Sequence, residues 1–296
     1  MVLVLALGAA CCYATAGVLQ QRSAQAQPFE RALRPTLLLH LVAERQWLAG
    51  VAADGLGYLL QFLALERGSL VLVQPLLVSG LLFALPLSAF LARRRMTPLD
   101  WAGSFEVVVG LSLFLVMARP AQGRATTTAT GWAIVLAGTL VPAVVLVAVA
   151  RRRRGQIRAV FLGTAAGIAF GLTAALTKTN AHLLDHGLGQ LVSSWQLYAM
   201  VVIGVWAMLV AQSAFQAGAL SLSLPVMTVT DPVVSIVIGA AVFEEGIARR
   251  GLEPALQLLG LVAMVAGVFT LARAEQRSRE GAPAQDRPSG EAGLGQ

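Results

Sequence analysis

Three carboxylates, Asp54, Glu106 and Asp231, each interrupt a stretch of chain that is otherwise apolar. An ionisable group at membrane depth is expensive to bury and marks a functional site by default. Asp231 immediately precedes Pro232, and a proline inside a helix removes a hydrogen bond and frees carbonyls nearby. A carboxylate beside freed carbonyls can hold a cation or a proton; the alternative is a capping or structural role. Asp54, Tyr58 and Gln61 stand at i, i+4 and i+7, which puts an acid, a phenol and an amide on one helix face. Gln212 and Gln216 likewise share a face, Thr228 lies one turn before Pro232, and Gln74 precedes Pro75. The candidate substrate- or ion-binding set is therefore Asp54, Tyr58, Gln61, Gln74, Glu106, Gln212, Gln216, Thr228 and Asp231, with Pro75 and Pro232 as helix breaks. For each neutral member, an interhelical hydrogen bond is the competing reading. For Glu106 the competitor is a protonated acid bonded to Ser104 or Ser112.

Other chemistries find little support. His182 and His186 have metal-pair spacing with Asp185 between them, but two imidazoles without further ligands do not make a site, so a solvated outer loop is expected there. All three histidines are expected in loops, which argues against an intramembrane enzyme. Cys11 and Cys12 are adjacent, so they point about 100° apart on a helix and read as small apolar filler. There is no phosphate-binding loop, no serine-hydrolase elbow and no zinc signature. No metal and no cofactor is expected.

The elements that must position these groups follow from composition. Of 296 residues, 57% are apolar and 12% are charged, with mean hydropathy +0.73. A soluble domain carries about 25% charged residues, so this chain has too little charge to coat a water-soluble surface. An all-α polytopic membrane protein is the class that remains. Charge-free or nearly charge-free windows predict nine transmembrane helices, at about 2–20, 47–65, 69–91, 99–118, 131–150, 159–177, 193–216, 224–243 and 255–272. The 44-residue charge-free window 187–230 is too long for one span and is expected to split near Gly218 to Pro225. The piece LRPTLLLHLV within the 21–46 loop is too short to span, and it reads as either interfacial or re-entrant. Residues 274–296 are polar and rich in Gly, Pro and charge, which predicts a disordered tail.

Charge sets the expected orientation. Nothing basic precedes Val2, so the first span is expected to remain as a membrane helix and not to be cleaved as a signal peptide. With nine spans, one side collects 16 of the 22 basic residues and the other 6. The positive-inside rule then predicts a cytoplasmic C-terminus and an outside N-terminus in the plasma membrane. The net charge of +7 sits in clusters beside apolar runs, a topology signal and not a nucleic-acid surface. The run Arg151 to Arg154 is the strongest of these clusters.

The chain also repeats internally. Pro75, Gly103 and Gly110 match Pro232, Gly260 and Gly267 at one constant offset of 157 residues, and Gly8 matches Gly163 at 155. Spans 1–4 (residues 1–118) thus correspond to spans 6–9 (residues 159–272), with span 5 (131–150) linking them. Corresponding spans are five apart, so they cross in opposite directions. That is an inverted-topology repeat, with a substrate site expected near the midplane between the halves.

Over about residues 1–272 the sequence resembles the drug/metabolite transporter superfamily of the EamA type. The resemblance rests on GYLLQFLALERGSLVLVQPLL and RRRMTPLDWAGSFEVVVGLSLFL in the first copy. In the second copy it rests on QSAFQAGALSLSLPVMTVTDPVV and EEGIARRGLEPALQLLGLVAMVAGVFTL. The Glu244-Glu245 pair resembles that family's acidic helix end. Ten spans are usual there; here the first half lacks its second helix, and the nine-span pattern with VQPL is similar to the NIPA-like magnesium-transporter branch. The resemblance implies a secondary transporter moving a small solute by alternating access, coupled to protons or a cation through Asp54 or Asp231. A divalent-cation transporter and a non-transporting membrane assembly partner are the alternatives. Expected partners are a small-molecule or ion substrate and the lipid bilayer, with no nucleic acid. Glycine-rich faces pack equally well within one protomer or in a homodimer.

Overall fold

The computed structural model describes residues 1–67, 76–77, 79–93, 95–118, 124, 126–243 and 251–280. It is helical, and no strand forms among the described residues. The helices are α1 (Val2–Gln25), α2 (Pro35–Ala43), α3 (Arg45–Arg67), α4 (Leu81–Leu91), α5 (Pro98–Ala118) and α6 (Ala129–Arg151). They continue with α7 (Gly155–Asp185), α8 (Leu188–Ser193), α9 (Trp195–Ala217), α10 (Leu220–Val242) and α11 (Glu253–Glu280). Among the described residues, seven helices are long and apolar enough to cross a membrane: α1, α5, α6, α7, α9, α10 and α11. Of the other two expected spans, α3 has 23 residues; of the span expected at 69–91, α4 covers Leu81–Leu91, and residues 69–75 and 78 lie outside the described residues. The protein is thus a multi-pass helical membrane protein.

Local chemistry explains several boundaries. Pro98 opens α5 after Thr97, whose backbone N–H and hydroxyl both donate to Asp100 Oδ2 at 2.8 and 2.9 Å, while the Asp100 N–H donates back to Thr97 Oγ1. That reciprocal cap satisfies donors a helix start leaves open. Thr128 Oγ1 caps α6 by accepting from Gly131 N–H at 3.1 Å. Other boundaries depart from expectation. The sixth span continues past residue 177 to Asp185, because 31 helical residues rise about 46 Å and carry α7 beyond the apolar layer. His182 therefore lies in a helix and not a loop, and His40 lies in α2. Span 8 begins at Leu220, and α10 contains both Pro225 and Pro232. Residues 274–280 extend α11 instead of beginning a disordered tail, and 281–296 lie outside the described residues. The LRPTLLLHLV piece folds as α2, which buries Leu37 and Leu41 against Trp47 and Leu209 and leaves Leu39 and Val42 exposed.

The helices close around one crossing. Helices α5 and α11 pack antiparallel at backbone contact through four glycines. A Cβ on Gly110 would lie 2.7 Å from the Gly260 carbonyl oxygen, and one on Gly260 would lie 2.7 Å from that of Gly110. Gly103 and Gly267 face each other the same way, at 2.9 and 2.8 Å. These glycines are the ones related by the 157-residue offset, and shifting one contact by that offset reproduces the other. The geometry is that of a two-fold axis through the crossing. Around it, Leu81 and Leu85 of α4, Val107 and Leu111 of α5, and Met264 and Leu271 of α11 form a buried cluster, which Leu224 and Val233 of α10 join.

A second close approach sets α10 on α7. Gly167 and Gly171 lie one turn apart; added Cβ atoms would meet Thr230 Cβ at 2.6 Å and the Asp231 carbonyl oxygen at 3.0 Å. In a bilayer, where lipid is as apolar as leucine, small residues that admit such backbone contact drive helix association. Gly110→Leu or Gly260→Leu is accordingly expected to lower the melting temperature of the detergent-purified protein, by an overpacking cost of about 1–3 kcal/mol. Gly138→Leu, where nothing lies within 4 Å, is expected to leave it unchanged. Equal melting of all three variants would contradict the crossing.

Candidate functional site

A cavity of about 630 Å³ opens between α1, α4, α7 and α10, with α3 and α5 at its edges. Its lining is largely apolar, including Ala14, Leu81, Leu111 and Ala175, and its polar groups cluster on two sides. On α10, Thr228, Asp231, Pro232 and Ser235 all line it. Ser235 Oγ donates to Asp231 Oδ1 at 3.3 Å, and Thr228 Oγ1 donates to the Leu224 carbonyl at 2.9 Å. Pro232 has no N–H to offer the Thr228 carbonyl one turn earlier. Two turns of α10 thus concentrate a carboxylate, two hydroxyls and a carbonyl deprived of its helical partner, all oxygen donors of the kind that hard cations take. Across the cavity, Tyr13 Oη donates to Gln61 Oε1 at 2.7 Å, joining α1 to α3.

Lys178, the chain's one lysine, also lines the cavity. Its ammonium lies 4.9 Å from the centroid of the Phe243 ring, a cation–π distance. Phe243 in turn packs edge-on against Trp132, which meets Trp195 at 5.4 Å between centroids. Paired side chains place Lys178 about two helical turns, roughly 10 Å, from the level of Gly171 and Asp231 along α7. The lysine and its aromatic cluster therefore sit toward the end of the bundle opposite the arginine-rich one.

The structure brings together only part of the expected set. Gln61, Thr228, Asp231 and Pro232 line the cavity. Asp54 does not: its Oδ2 accepts from Gln20 Nε2 at 2.5 Å, and Gln20 Oε1 accepts from Gln212 Nε2 at 2.9 Å. This buried chain ties α3 through α1 to α9. Tyr58, expected on the Asp54–Gln61 face, points away at 68% exposure, because Gly57 gives the α1-facing position to the Tyr13 ring. Gln216 also serves a connection: its Nε2 donates to the carbonyls of Gln27 and Pro28 at 2.8 and 3.0 Å. Glu106 lies at the α5–α11 crossing, where Oε2 accepts from Thr270 Oγ1 at 2.9 Å, and not from Ser104 or Ser112. Gln74, Pro75 and the Glu244-Glu245 pair lie outside the described residues.

The His182 and His186 rings meet edge-on at 4.5 Å, with His186 Nδ1 against the His182 carbonyl. Among the described residues, no three His, Cys, Asp or Glu side chains converge as a metal cluster. Sequence reasoning missed Tyr13, Lys178, Ser235 and Gln20. Lys178 carried a usable signal, as a lone lysine against 21 arginines, and Ser235 stands one turn from Asp231. Tyr13 and Gln20 lie in a charge-free window with nothing to single them out.

The polar chain makes a stability prediction. A neutral interhelical hydrogen bond in a membrane averages about 0.6 kcal/mol, whereas one to a carboxylate is roughly twice as strong. Gln20→Leu removes both bonds of the chain and is expected to lower the melting temperature more than Gln212→Leu. Asp54→Asn keeps an oxygen that accepts from Gln20 and is expected to be the mildest of the three. Melting curves in detergent that rank Asp54→Asn as the most damaging would contradict this reading.

The whole chain also has relatives. The magnesium transporter NIPA family model matches residues 3–277. An uncharacterised protein of Corynebacterium glutamicum is 32% identical over 272 residues, which span 90% of this chain and 93% of that protein. No solved structure matches. The match covers every membrane helix and the cavity they enclose: the chain belongs to the NIPA magnesium-transporter family, a relative of the drug/metabolite transporters.

Proposed function

We propose that the protein is a secondary transporter whose substrate passes through the 630 Å³ cavity by alternating access, and that Mg2+ with its water shell is that substrate. The observation that carries this reading is Asp231, the one carboxylate among the described residues lining the cavity. Mg2+ loses water reluctantly and is usually bound through one or two carboxylates with several waters retained. Six waters occupy about 180 Å³ at roughly 30 Å³ each, so the cavity admits the ion without stripping it. Thr228 and Ser235 would then meet water ligands, and the Thr228 carbonyl would face the same shell. The family's description supports the choice of ion.

Orientation enters through charge. Arg22, Arg45 and Arg93 all stand at helix ends on one side of the bundle, where Gln20 meets Gly50 and Arg22 lines a cavity with Ala92. The positive-inside rule makes that side cytoplasmic, so the large cavity lies toward the outside. Lys178 at its mouth favours a second reading, an organic solute bearing both charges, with its cationic group at Asp231 and its anionic group at Lys178. A volume of 630 Å³ is also that of a metabolite site.

Uptake into proteoliposomes separates the two. With the first reading, a magnesium-sensitive dye trapped inside reports entry into wild-type vesicles. Asp231→Asn is expected to slow it by at least roughly tenfold, the scale of losing one charge-assisted contact of about 1.5–3 kcal/mol. Lys178→Gln is expected to leave Mg2+ entry intact or faster. Entry of amino acids or other zwitterions, abolished by Lys178→Gln and without Mg2+ entry, would establish the second reading instead. Wild-type uptake in Asp231→Asn would overturn the site under either.

A further inference from the structure

Two cavities lie along the same three helices. The large one takes Ala14 from α1, Ala84 from α4 and Leu224 from α10. A second, of about 360 Å³, takes Gln21 and Arg22 from α1, Ser88 from α4 and Ser221 from α10. Along α1 the step from Ala14 to Gln21 is seven residues, about 10 Å; along α10 the step from Leu224 to Ser221 is under one turn. The wall between the cavities is therefore thin. It is also apolar and closely packed: Val18 and Ala84 are fully buried, Leu85 is 2% exposed and Leu220 is 1% exposed. Leu224 packs against both neighbouring cores, that of Val18 and Ala84 and that of Leu81 and Leu85. Its two methyl groups stand 3.8 and 3.9 Å from where a Cβ on Gly17 would be.

The helix that carries this leucine is the one most able to move it. Pro225 follows Leu224 directly, and Pro232 lies two turns on, both within α10. Each removes one rung of the hydrogen-bond ladder, and helices bend at such points. On the far side of the wall, the amides of Gln21 and Gln25 both donate to the Gly218 carbonyl, at 3.2 and 3.0 Å. They tie the start of α10 to the end of α1 where the second cavity begins.

We infer that the second cavity is the opposite mouth of the transport pathway and that Leu224, seated on Gly17 between Val18, Leu85 and Leu220, is the gate separating it from the substrate cavity. The inference rests on the reading that the large cavity carries substrate. A hydrated ion cannot cross an apolar constriction that excludes water, so this layer must part during transport. Motion of the Leu220–Leu224 segment about Pro225 parts it by sliding Ser223 off Gly163 of α7, while the contacts of Gly167 and Gly171 with Thr230 and Asp231 stay in place. The second cavity then receives the substrate among amides and hydroxyls, with Arg22 set to repel a cation outward into the cytoplasm.

The test reads sidedness and needs no substrate. Cys11→Ser and Cys12→Ser clear the background, and Leu115→Cys or Ser221→Cys then reports the large or the small cavity. A membrane-impermeant thiol reagent is applied to right-side-out and inside-out vesicles. Leu115→Cys is expected to react from one face and Ser221→Cys from the other. Adding Leu224→Ala is expected to speed reaction of Ser221→Cys from the Leu115 face by roughly tenfold, as a gate biased toward opening requires. Leu224→Val serves where the alanine variant is not produced, and the lipid-facing Val145→Ala is expected to change neither rate. Reaction of both cysteines from the same face in the parent protein would overturn the inference. So would a Leu224 variant whose rates match the parent's. Loss of Mg2+ uptake as a property of the protein would sink the proposed substrate yet leave these rates standing, so the two failures are distinguishable.

Discussion

The backbone contact between Gly110 and Gly260, with its partner between Gly103 and Gly267, sets the positions of the remaining helices. In water a helix pair is held by excluding solvent from apolar faces; in lipid that force is absent, and close packing takes its place. Four glycines allow α5 and α11 to touch along their main chains, so dispersion acts over the whole crossing. The core around it includes Leu81 and Leu85 of α4 and Leu224 and Val233 of α10. The crossing thereby fixes the two helices that line the cavity from opposite sides. Two further glycines, Gly167 and Gly171, draw α10 onto α7 at the level of Asp231. The carboxylate therefore stands on a segment packed at backbone contact against α7, with its own hydrogen-bond ladder broken by proline.

This division assigns different work to the two kinds of polar residue. Those away from the cavity connect helices: Gln20 joins Asp54 to Gln212, Thr270 meets Glu106, and Gln216 holds the 27–28 backbone. Of those in the cavity, Tyr13 and Gln61 also join two helices, whereas Thr228, Asp231 and Ser235 on α10 bond within their own helix and leave oxygen facing open space. A buried group that links helices restrains them, while one that faces a cavity can take a ligand as helices move. Asp54 and Asp231 look alike in sequence, each a lone acid in an apolar run, and they differ because only one has an amide partner on another helix.

Much of the architecture was legible because the constraints on a membrane chain are written in composition and spacing. Charge-free or nearly charge-free windows located the seven helices long and apolar enough to cross a membrane among the described residues, and the offset of 157 residues picked out the four glycines that meet at the crossing. Proline position pointed to Asp231. What stayed illegible depended on contacts across the fold. Periodicity places Tyr58 on the face of Asp54 and Gln61, yet the space there is taken by Tyr13 from another helix. Window hydropathy ended the sixth span at Lys178, although a helix leaving the apolar layer has no reason to stop there, and Asp185 is where α7 closes. Tyr13 and Gln20 are ordinary residues of a charge-free helix until α3 is laid against them.

The claim on which the rest turns is that Asp231 holds the transported ion in the large cavity. Equilibrium binding of Mg2+ to the purified protein, measured by titration calorimetry in wild type and Asp231→Asn, tests it most directly. The expected result is saturable binding of one ion per chain that is lost in Asp231→Asn, while that variant melts as the wild type does. Binding of equal strength in both proteins would place the ion elsewhere and contradict the claim.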